Sequence, residues 1–188
     1  KKVKSNIPWS RQDDVIDFDV ADPLQPFGFN PLANVAVDKR PLACSGLIQV
    51  FKHLWADSWG PRLEYILRNC LLSLLDYPNA NLADILRILS DHKFRDTVIP
   101  LISNEQVREF WLKEYNNYPE RLRSEAIAPI QNKVGAFLTH PILQKILTNP
   151  EKSLNLRRIM DEGKILLVNL SKGALGEDTS NLLGSLII

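Results

Sequence analysis

The sequence has only two cysteines, Cys44 and Cys70, and both lie among apolar residues with helical spacing. Two such thiols predict buried, reduced cysteines in a cytosolic protein and argue against a disulfide-bonded secreted domain. The sequence also lacks the run of about 20 apolar residues that a transmembrane helix needs, and it does not open with a signal-peptide pattern. We therefore expect a cytoplasmic location, with any membrane attachment supplied by sequence outside this chain.

An excess of charge of one sign is also missing. Lys and Arg together number 23 and Asp and Glu 22, so the formal net charge is +1. This balance excludes a strongly basic or acidic overall field, so charge alone demands neither a nucleic acid nor a cation as partner. The three histidines, His53, His92 and His140, show no metal-ligand spacing with each other or with the cysteines. We predict no metal site and no catalytic triad.

A phosphate-binding loop is missing as well. Gly163 and Lys164 are followed by Ile165 instead of Ser or Thr, and no glycine stands at the upstream position of that motif. Gly163 instead fits the position that ends a helix, because glycine readily adopts the left-handed conformation required there. Asn155 is the expected cap at the start of the same short helix.

Apolar residues recur at helical spacing through most of the region 41–150. Pro129 is expected to kink or divide one long helical segment, and Gly135 is expected to mark a close approach of two helices. We predict an all-α domain over 41–150. Its strongest amphipathic helix has apolar residues at i, i+3, i+4, i+7, i+8, i+11 and i+12, namely Leu63, Ile66, Leu67, Cys70, Leu71, Leu74 and Leu75.

Strand-like sequence precedes the helical region. Residues 15–20 (VIDFDV) predict a short strand. A proline-rich loop follows it, and we expect Phe27, Phe29 and Leu32 to anchor that loop by burial. Residues 1–40 are therefore assigned to an N-terminal segment of an α/β core.

The region 151–188 returns to the α/β pattern. Its uninterrupted apolar run predicts a strand at 164–170, covered on both faces like a central parallel strand. A loop at 171–177 and a helix at 179–188, cut short in its apolar face, follow. The sheet is not completed, so we expect a piece of a larger protein. The predicted fold class is mainly α: an all-helical domain flanked by strands of an incomplete α/β core.

Two charged residues lie just after the second predicted strand. Ligands of open α/β sheets bind at the carboxyl ends of strands, where Lys172 would reach a phosphate and Glu177 would order water or a partner arginine. The alternative is a solvated turn that uses Gly173 and Gly176 for positive φ. That connector is the more common use of such a loop.

Two further cations are candidates for contacts within the helical region. Arg62 lies at a predicted helix start, where a cation is electrostatically unfavourable, so either a specific partner or a nearby surface acid is expected. Lys133 lies beside Gly135 and is a candidate contact for a nucleic acid or a protein partner. For Trp55, Trp59 and Trp111, positions in the helical core are favoured over base stacking.

Four stretches of the chain, in order, resemble the conjugative coupling-protein ATPases. These are the TraD-like type IV secretion relatives of the hexameric HerA/FtsK DNA pumps. The resemblance covers nearly the whole chain and is most specific at 59–69 and 163–178. The stretches are DDVIDFDVADPLQPFGFNPL (13–32), SGLIQVFKHLWADSWGPRLEYILRNCLLSLL (45–75), EAIAPIQNKVGAFL (125–138) and RRIMDEGKILLVNLSKGALGEDTSNLLGSLI (157–187).

The resemblance implies a RecA-like P-loop NTPase core with an all-helical domain inserted between early and later strands. In that family the Walker A loop precedes the region seen here and the Walker B strand follows it. ATP and Mg²⁺ are therefore implied for the parent protein, which forms a hexameric ring and acts on DNA. No cofactor is expected within this chain, which lacks both motifs and is not expected to hydrolyse ATP alone.

The expected function is therefore that of a DNA translocase or coupling ATPase of conjugation or type IV secretion, attached to the inner membrane through other sequence. Within it, the chain would serve recognition or assembly. Arg62, Lys133 and Lys172 would lie near a subunit interface, a nucleotide or DNA. The alternatives are a helical adaptor that docks a relaxosome component or secreted protein, and a structural insertion that sets spacing in the ring.

Overall fold

A computed structural model describes residues 2–22, 24, 26–148 and 153–188. The fold is mainly α-helical with one small parallel sheet of two strands, which confirms the predicted fold class. Among the described residues, no helix combines the length and hydrophobicity needed to span a lipid bilayer.

The sheet joins residues from the two ends of the described chain. Strand β1 (Val15–Asp19) and strand β2 (Ile165–Asn169) pair in parallel, with Val15 opposite Ile165 and Asp19 opposite Asn169. Before the two strands, the Lys164 ammonium lies 2.8 Å from the Asp14 carboxylate. Both strands lie where the apolar patterns predicted them.

The burial of the strands differs from the prediction. Phe18 of β1 is fully buried, whereas the residues of β2 are half-buried or exposed, and Val168 retains 37% of its accessible surface. Within the described ranges only β1 pairs with β2, so β2 has a neighbouring strand on one side. The expectation of a strand covered on both faces is therefore wrong for this structure.

Helices form almost all of the region between the strands. A four-residue helix, α1 (Lys2–Ser5), precedes β1. A π-helix (Phe110–Glu114) continues directly from α6. The helices between the strands are α2 (Arg40–Leu54), α3 (Pro61–Asp76), α4 (Asp84–Ser90), α5 (His92–Val98), α6 (Glu105–Glu109), α7 (Glu120–Leu138), α8 (Pro141–Thr148) and α9 (Leu156–Asp161).

One hydrophobic cluster connects the helices and the strands. Helix α3 lies at its centre, because its predicted apolar face is buried along its whole length. Phe18 of β1 belongs to the same cluster, as does Leu182 near the carboxyl end of the chain. Phe29 and Leu32 are also buried, as predicted for the loop after β1, whereas Phe27 is only half-buried against the same cluster. The predicted boundary between 150 and 151 lies outside the described residues.

Two predictions concern helix α7. Of the two outcomes expected at Pro129, a kink or a division, the division does not occur, because the helix continues through this proline. A β-carbon added to Gly135 would have no non-local atom within 4 Å. The expected close approach of two helices at Gly135 is therefore absent.

In the carboxyl-terminal region, the structure agrees with the predicted end of α9 but differs from the predicted loop 171–177. Asn155 caps α9 by accepting a hydrogen bond from the Arg158 N–H, and Gly163 adopts φ +62° after the helix, both as predicted. Beyond β2, however, a single helical turn, α10 (Lys172–Leu175), occupies most of the predicted loop. Helix α11 (Glu177–Ile187) then begins two residues before the predicted start at 179, because Gly176, with φ +80°, separates the two helices.

Candidate functional site

Residues 59–69 lead into helix α3 and form its first turns. Gly60 is extended and Pro61 occupies the first turn, where its missing N–H costs no hydrogen bond. The preceding Trp59 is half-buried. This arrangement holds the Trp59 side chain beside the first two turns of α3.

Glu64 is the centre of a polar network beside this helix start. Its carboxylate accepts a hydrogen bond from the Trp59 indole Nε1 at 2.8 Å and one from Arg68 Nη2 at 3.2 Å. Lys52 of α2 lies 3.8 Å from the same carboxylate. The Trp59 hydrogen bond, followed by that of Arg68, lowers the pKa of Glu64 below its ordinary value. Glu64 is therefore a carboxylate at neutral pH.

The Trp59 ring is part of an aromatic stack centred on Trp55. The Trp55 ring is stacked on Phe51 of α2 at 4.7 Å, on Trp59 at 6.1 Å and on Phe137 of α7 at 5.8 Å between ring centroids. The Lys133 ammonium lies 5.3 Å from the centroid of the Trp55 ring. Three segments of the chain thus fix the position of Trp59.

An open groove of about 670 Å³ lies between α2 and α3. We call it the α2–α3 groove. Lys52 and Ala56 line one side, and Trp59 and Gly60 lie at one end. The other side is a single face of α3, at spacing i, i+3, i+4 and i+7, formed by Pro61, Glu64, Tyr65 and Arg68.

A second carboxylate lies beyond this face of α3. Glu114, the last residue of the π-helix, accepts hydrogen bonds from the hydroxyl groups of Tyr65 at 2.8 Å and Tyr118 at 2.5 Å. Burial, together with the hydrogen bond to Glu114, raises the pKa of Tyr118 to about 12. π-Helical turns occur frequently at functional sites, and this one ends in the carboxylate that binds the hydroxyl of Tyr65, a residue of the groove lining.

The structure brings two of the predicted cations to this region. Arg62 is exposed, near enough to Tyr118 for an electrostatic interaction, and it forms no hydrogen bond or ion pair with the described residues. Lys133 donates a hydrogen bond to the Ser58 hydroxyl and packs over Trp55. Neither residue lines the α2–α3 groove. Arg62 lies beside its rim, and Lys133 lies behind the stack that supports Trp59.

The other two predicted residues pair with each other beyond β2. The Lys172 ammonium lies 3.0 Å from the Glu177 carboxylate, and both side chains are exposed. Ser171, which precedes α10, has φ +37°. Of the two glycines in the alternative solvated turn, Gly176 has positive φ, whereas Gly173 lies within α10.

The residues after β2 do not fit a phosphate of ATP. Glu177 and Asp178 both lie in the first turn of α11, so a phosphate at that helix end would face two carboxylates. Lys172 is already paired with one of them. In the part of the chain that the structure describes, no group of three or more His, Cys, Asp or Glu residues is arranged to hold a metal ion. We therefore assign no step of ATP chemistry to these residues.

Lys52 and Tyr65 are not among the site residues predicted from the sequence. Lys52 lies on α2, and only the packing of α2 against α3 places it opposite Glu64. The sequence of α3 does contain a pattern that could have indicated the groove. Its polar residues Glu64, Tyr65 and Arg68 share a face apart from the buried positions of the helix.

Similarity to known proteins does not identify this site. No family model matches the chain, and no curated protein or solved structure shows significant similarity to it.

Proposed function

We propose that the chain contributes the helical domain and two flanking core strands of an ATP-driven DNA translocase of the coupling-protein type. One observation carries the proposal. Strands β1 and β2 pair in parallel, and the whole helical region forms the connection between them. This is the arrangement that a helical domain inserted into a RecA-like core requires, since parallel neighbours need a crossover connection.

Within such a protein, this part serves recognition or assembly. Lys172 and Glu177 neutralise each other, and the sequence has no phosphate-binding loop. ATP and Mg²⁺ would be bound by other segments of the complete cytoplasmic protein. Arg62, exposed and without an ion pair among the described residues, is the residue best placed to contact a neighbouring subunit or DNA.

The experiment that tests this function uses the complete protein. ATP hydrolysis is measured with and without DNA for the wild type, Arg62→Ala, Lys172→Ala and Arg121→Ala. We expect DNA to stimulate hydrolysis and Arg62→Ala to reduce the stimulation. Lys172→Ala, at a lysine paired with Glu177, and Arg121→Ala, at an exposed arginine of α7, should leave it unchanged. Hydrolysis that does not respond to DNA in the wild type contradicts the proposed function. Wild-type stimulation in Arg62→Ala contradicts only the assignment of that residue.

The second candidate is a helical adaptor that docks a relaxosome component or a secreted protein. The α2–α3 groove favours it, because the groove combines aromatic and charged residues in the helical region. Salt dependence distinguishes the two candidates. A DNA-contacting surface loses affinity steeply between ~50 and ~200 mM salt, whereas binding of a protein partner to the groove would change much less.

A further inference from the structure

The α2–α3 groove has the size and rigidity of a binding site. Its volume, about 670 Å³, lies within the range of roughly 300–1,000 Å³ usual for ligand pockets. Trp59 is held by stacking on Trp55 and by its hydrogen bond to Glu64. Arg68 is held by Glu64 and, at 3.3 Å, by the Ser45 hydroxyl. Because these side chains are already ordered, a ligand would lose little free energy in fixing them.

The groove offers an apolar surface together with an excess of positive charge. Tyr65 keeps 46% of its accessible surface, and Trp59, Ala56 and Pro61 are also part of the lining. Two cations, Lys52 and Arg68, line the groove against one carboxylate, that of Glu64. The complementary ligand is therefore one that carries both an apolar side chain and negative charge.

The surrounding charges decide the class of ligand. Arg62 adds positive charge beside the groove, but Asp57 in the turn before Trp59 and Glu114 beside Tyr65 add negative charge. A nucleic-acid strand needs a continuous row of cations along its phosphates. A mixed rim of this kind repels part of such a strand, whereas a short peptide directs its carboxylates only to the cationic positions.

We propose that the α2–α3 groove binds an acidic peptide segment of a partner protein, with an apolar side chain against Trp59 and Tyr65 and carboxylates against Lys52 and Arg68. Lys52 is the main test of this assignment, since its side chain is 59% exposed and its ammonium lies 3.8 Å from the Glu64 carboxylate, a long distance for an ion pair. This proposal rests on the adaptor function and names the class of partner that the adaptor binds. Its test does not require ATP hydrolysis.

The test measures fluorescence anisotropy of a labelled peptide, QELDFQQ, whose two acidic side chains match the two cationic positions, titrated with the 188-residue chain. The uncharged peptide QQLNFQQ and a labelled oligothymidine are titrated in parallel. We expect saturable binding of the acidic peptide and at least about ten-fold weaker binding of the uncharged one, because the opposite charges at the cationic side are lost. Competition by oligothymidine with equal or higher affinity would overturn the proposal in favour of a nucleic-acid surface.

Variants that reverse the charge of a single lysine test whether the peptide binds in the groove. Lys52→Glu is compared with Lys113→Glu, which reverses another exposed lysine that is paired with a glutamate. We expect about a ten-fold loss of peptide affinity for Lys52→Glu and less than about a two-fold change for Lys113→Glu. Tyr65→Ala should also weaken binding, and circular dichroism checks that each variant is folded. Equal affinities of the two lysine variants, or absence of saturable binding to the wild type, would refute the assignment.

Discussion

Arg95 is a buried cation that has no carboxylate partner among the described residues. Its side chain keeps 4% of its accessible surface, and Nη1 donates hydrogen bonds to the carbonyl oxygens of Ile88 at 2.7 Å and Leu89 at 3.3 Å. These carbonyls end helix α4, where the helix dipole is negative. The guanidinium also lies 5.1 Å from the centroid of the Tyr115 ring. The end of a helix and an aromatic ring thus replace the missing acid.

Replacement of Arg95 should therefore be costly. Arg95→Ala leaves two buried carbonyl groups with fewer donors and opens a cavity, so we expect the free energy of unfolding to fall by about 3 kcal/mol. Urea unfolding followed by circular dichroism measures the change. Arg121→Ala is the control, because Arg121 is 91% exposed and has only an exposed ion pair with Glu125. A loss for Arg95→Ala no larger than for the control would contradict this account.

The lowered pKa of Glu64 predicts that the stability of the fold depends on pH. Its pKa is lowered in the folded protein, first by the Trp59 hydrogen bond and then by Arg68. A lowered pKa stabilises the fold above the unfolded value of about 4.3, and this contribution disappears as pH falls through the folded value. We expect Glu64→Gln to reduce the unfolding free energy at about pH 7 by up to ~1 kcal/mol and to have a smaller effect at about pH 3.

Urea unfolding of the wild type and Glu64→Gln at both pH values measures this difference. Glu125→Gln, at an exposed ion pair of α7, provides the matched control and should show a smaller change. A Glu64→Gln effect of equal size at acidic and neutral pH would exclude the carboxylate as its source.

At the scale of elements, two glycines have opposite roles. Gly135 lies inside α7 with open space at its β-carbon position, whereas Gly163 follows α9 with φ +62°. We expect Gly135→Ala to stabilise the protein by about 0.5–1 kcal/mol, because alanine is the better helix former. Gly163→Ala should destabilise it by about 1–2 kcal/mol, because a side chain disfavours that conformation. Thermal unfolding compares them, and a stabilising Gly163→Ala would show that the turn tolerates a side chain.

Most helices and both strands could be predicted from local patterns. The buried face of α3 follows from its apolar spacing, and the end of α9 follows from Gly163. The turn α10 could not be predicted, because four residues with two glycines nearby give no periodic signal. The groove was equally out of reach, since Lys52 meets Glu64 only through the packing of two helices. The pairing of Lys172 with Glu177 was not predicted, because it depends on the positions of α10 and α11 on either side of Gly176.

At the scale of the whole molecule, the strands and the helices share one core. Phe18 of β1 is fully buried in the same cluster as the apolar face of α3. The helical region and the sheet should therefore unfold together, although the sequence pattern divides the chain into three segments. This sharing of a core distinguishes the structure from a set of independently stable domains.

Phe18→Ala tests this cooperativity. We expect a loss of about 3–5 kcal/mol, with a single unfolding transition whose midpoint shifts equally by tryptophan fluorescence and by far-ultraviolet circular dichroism. Trp55 and Trp111, both buried in the helical region, report on the helices. Val168→Ala, at a partly exposed position of β2, should cost much less. Two separate transitions, with only one shifted by Phe18→Ala, would show that the sheet and the helices are uncoupled.

The pairing of β1 with β2 also has a consequence for synthesis on the ribosome. Val15 and its partner Ile165 are 150 positions apart in the chain. At roughly 5–20 residues per second, β1 waits about 8–30 s before its partner strand has been made. During that interval its backbone N–H and C=O groups offer an open edge to other chains. A nascent-chain chaperone, or early collapse of the helices around Phe18, would protect it until β2 emerges.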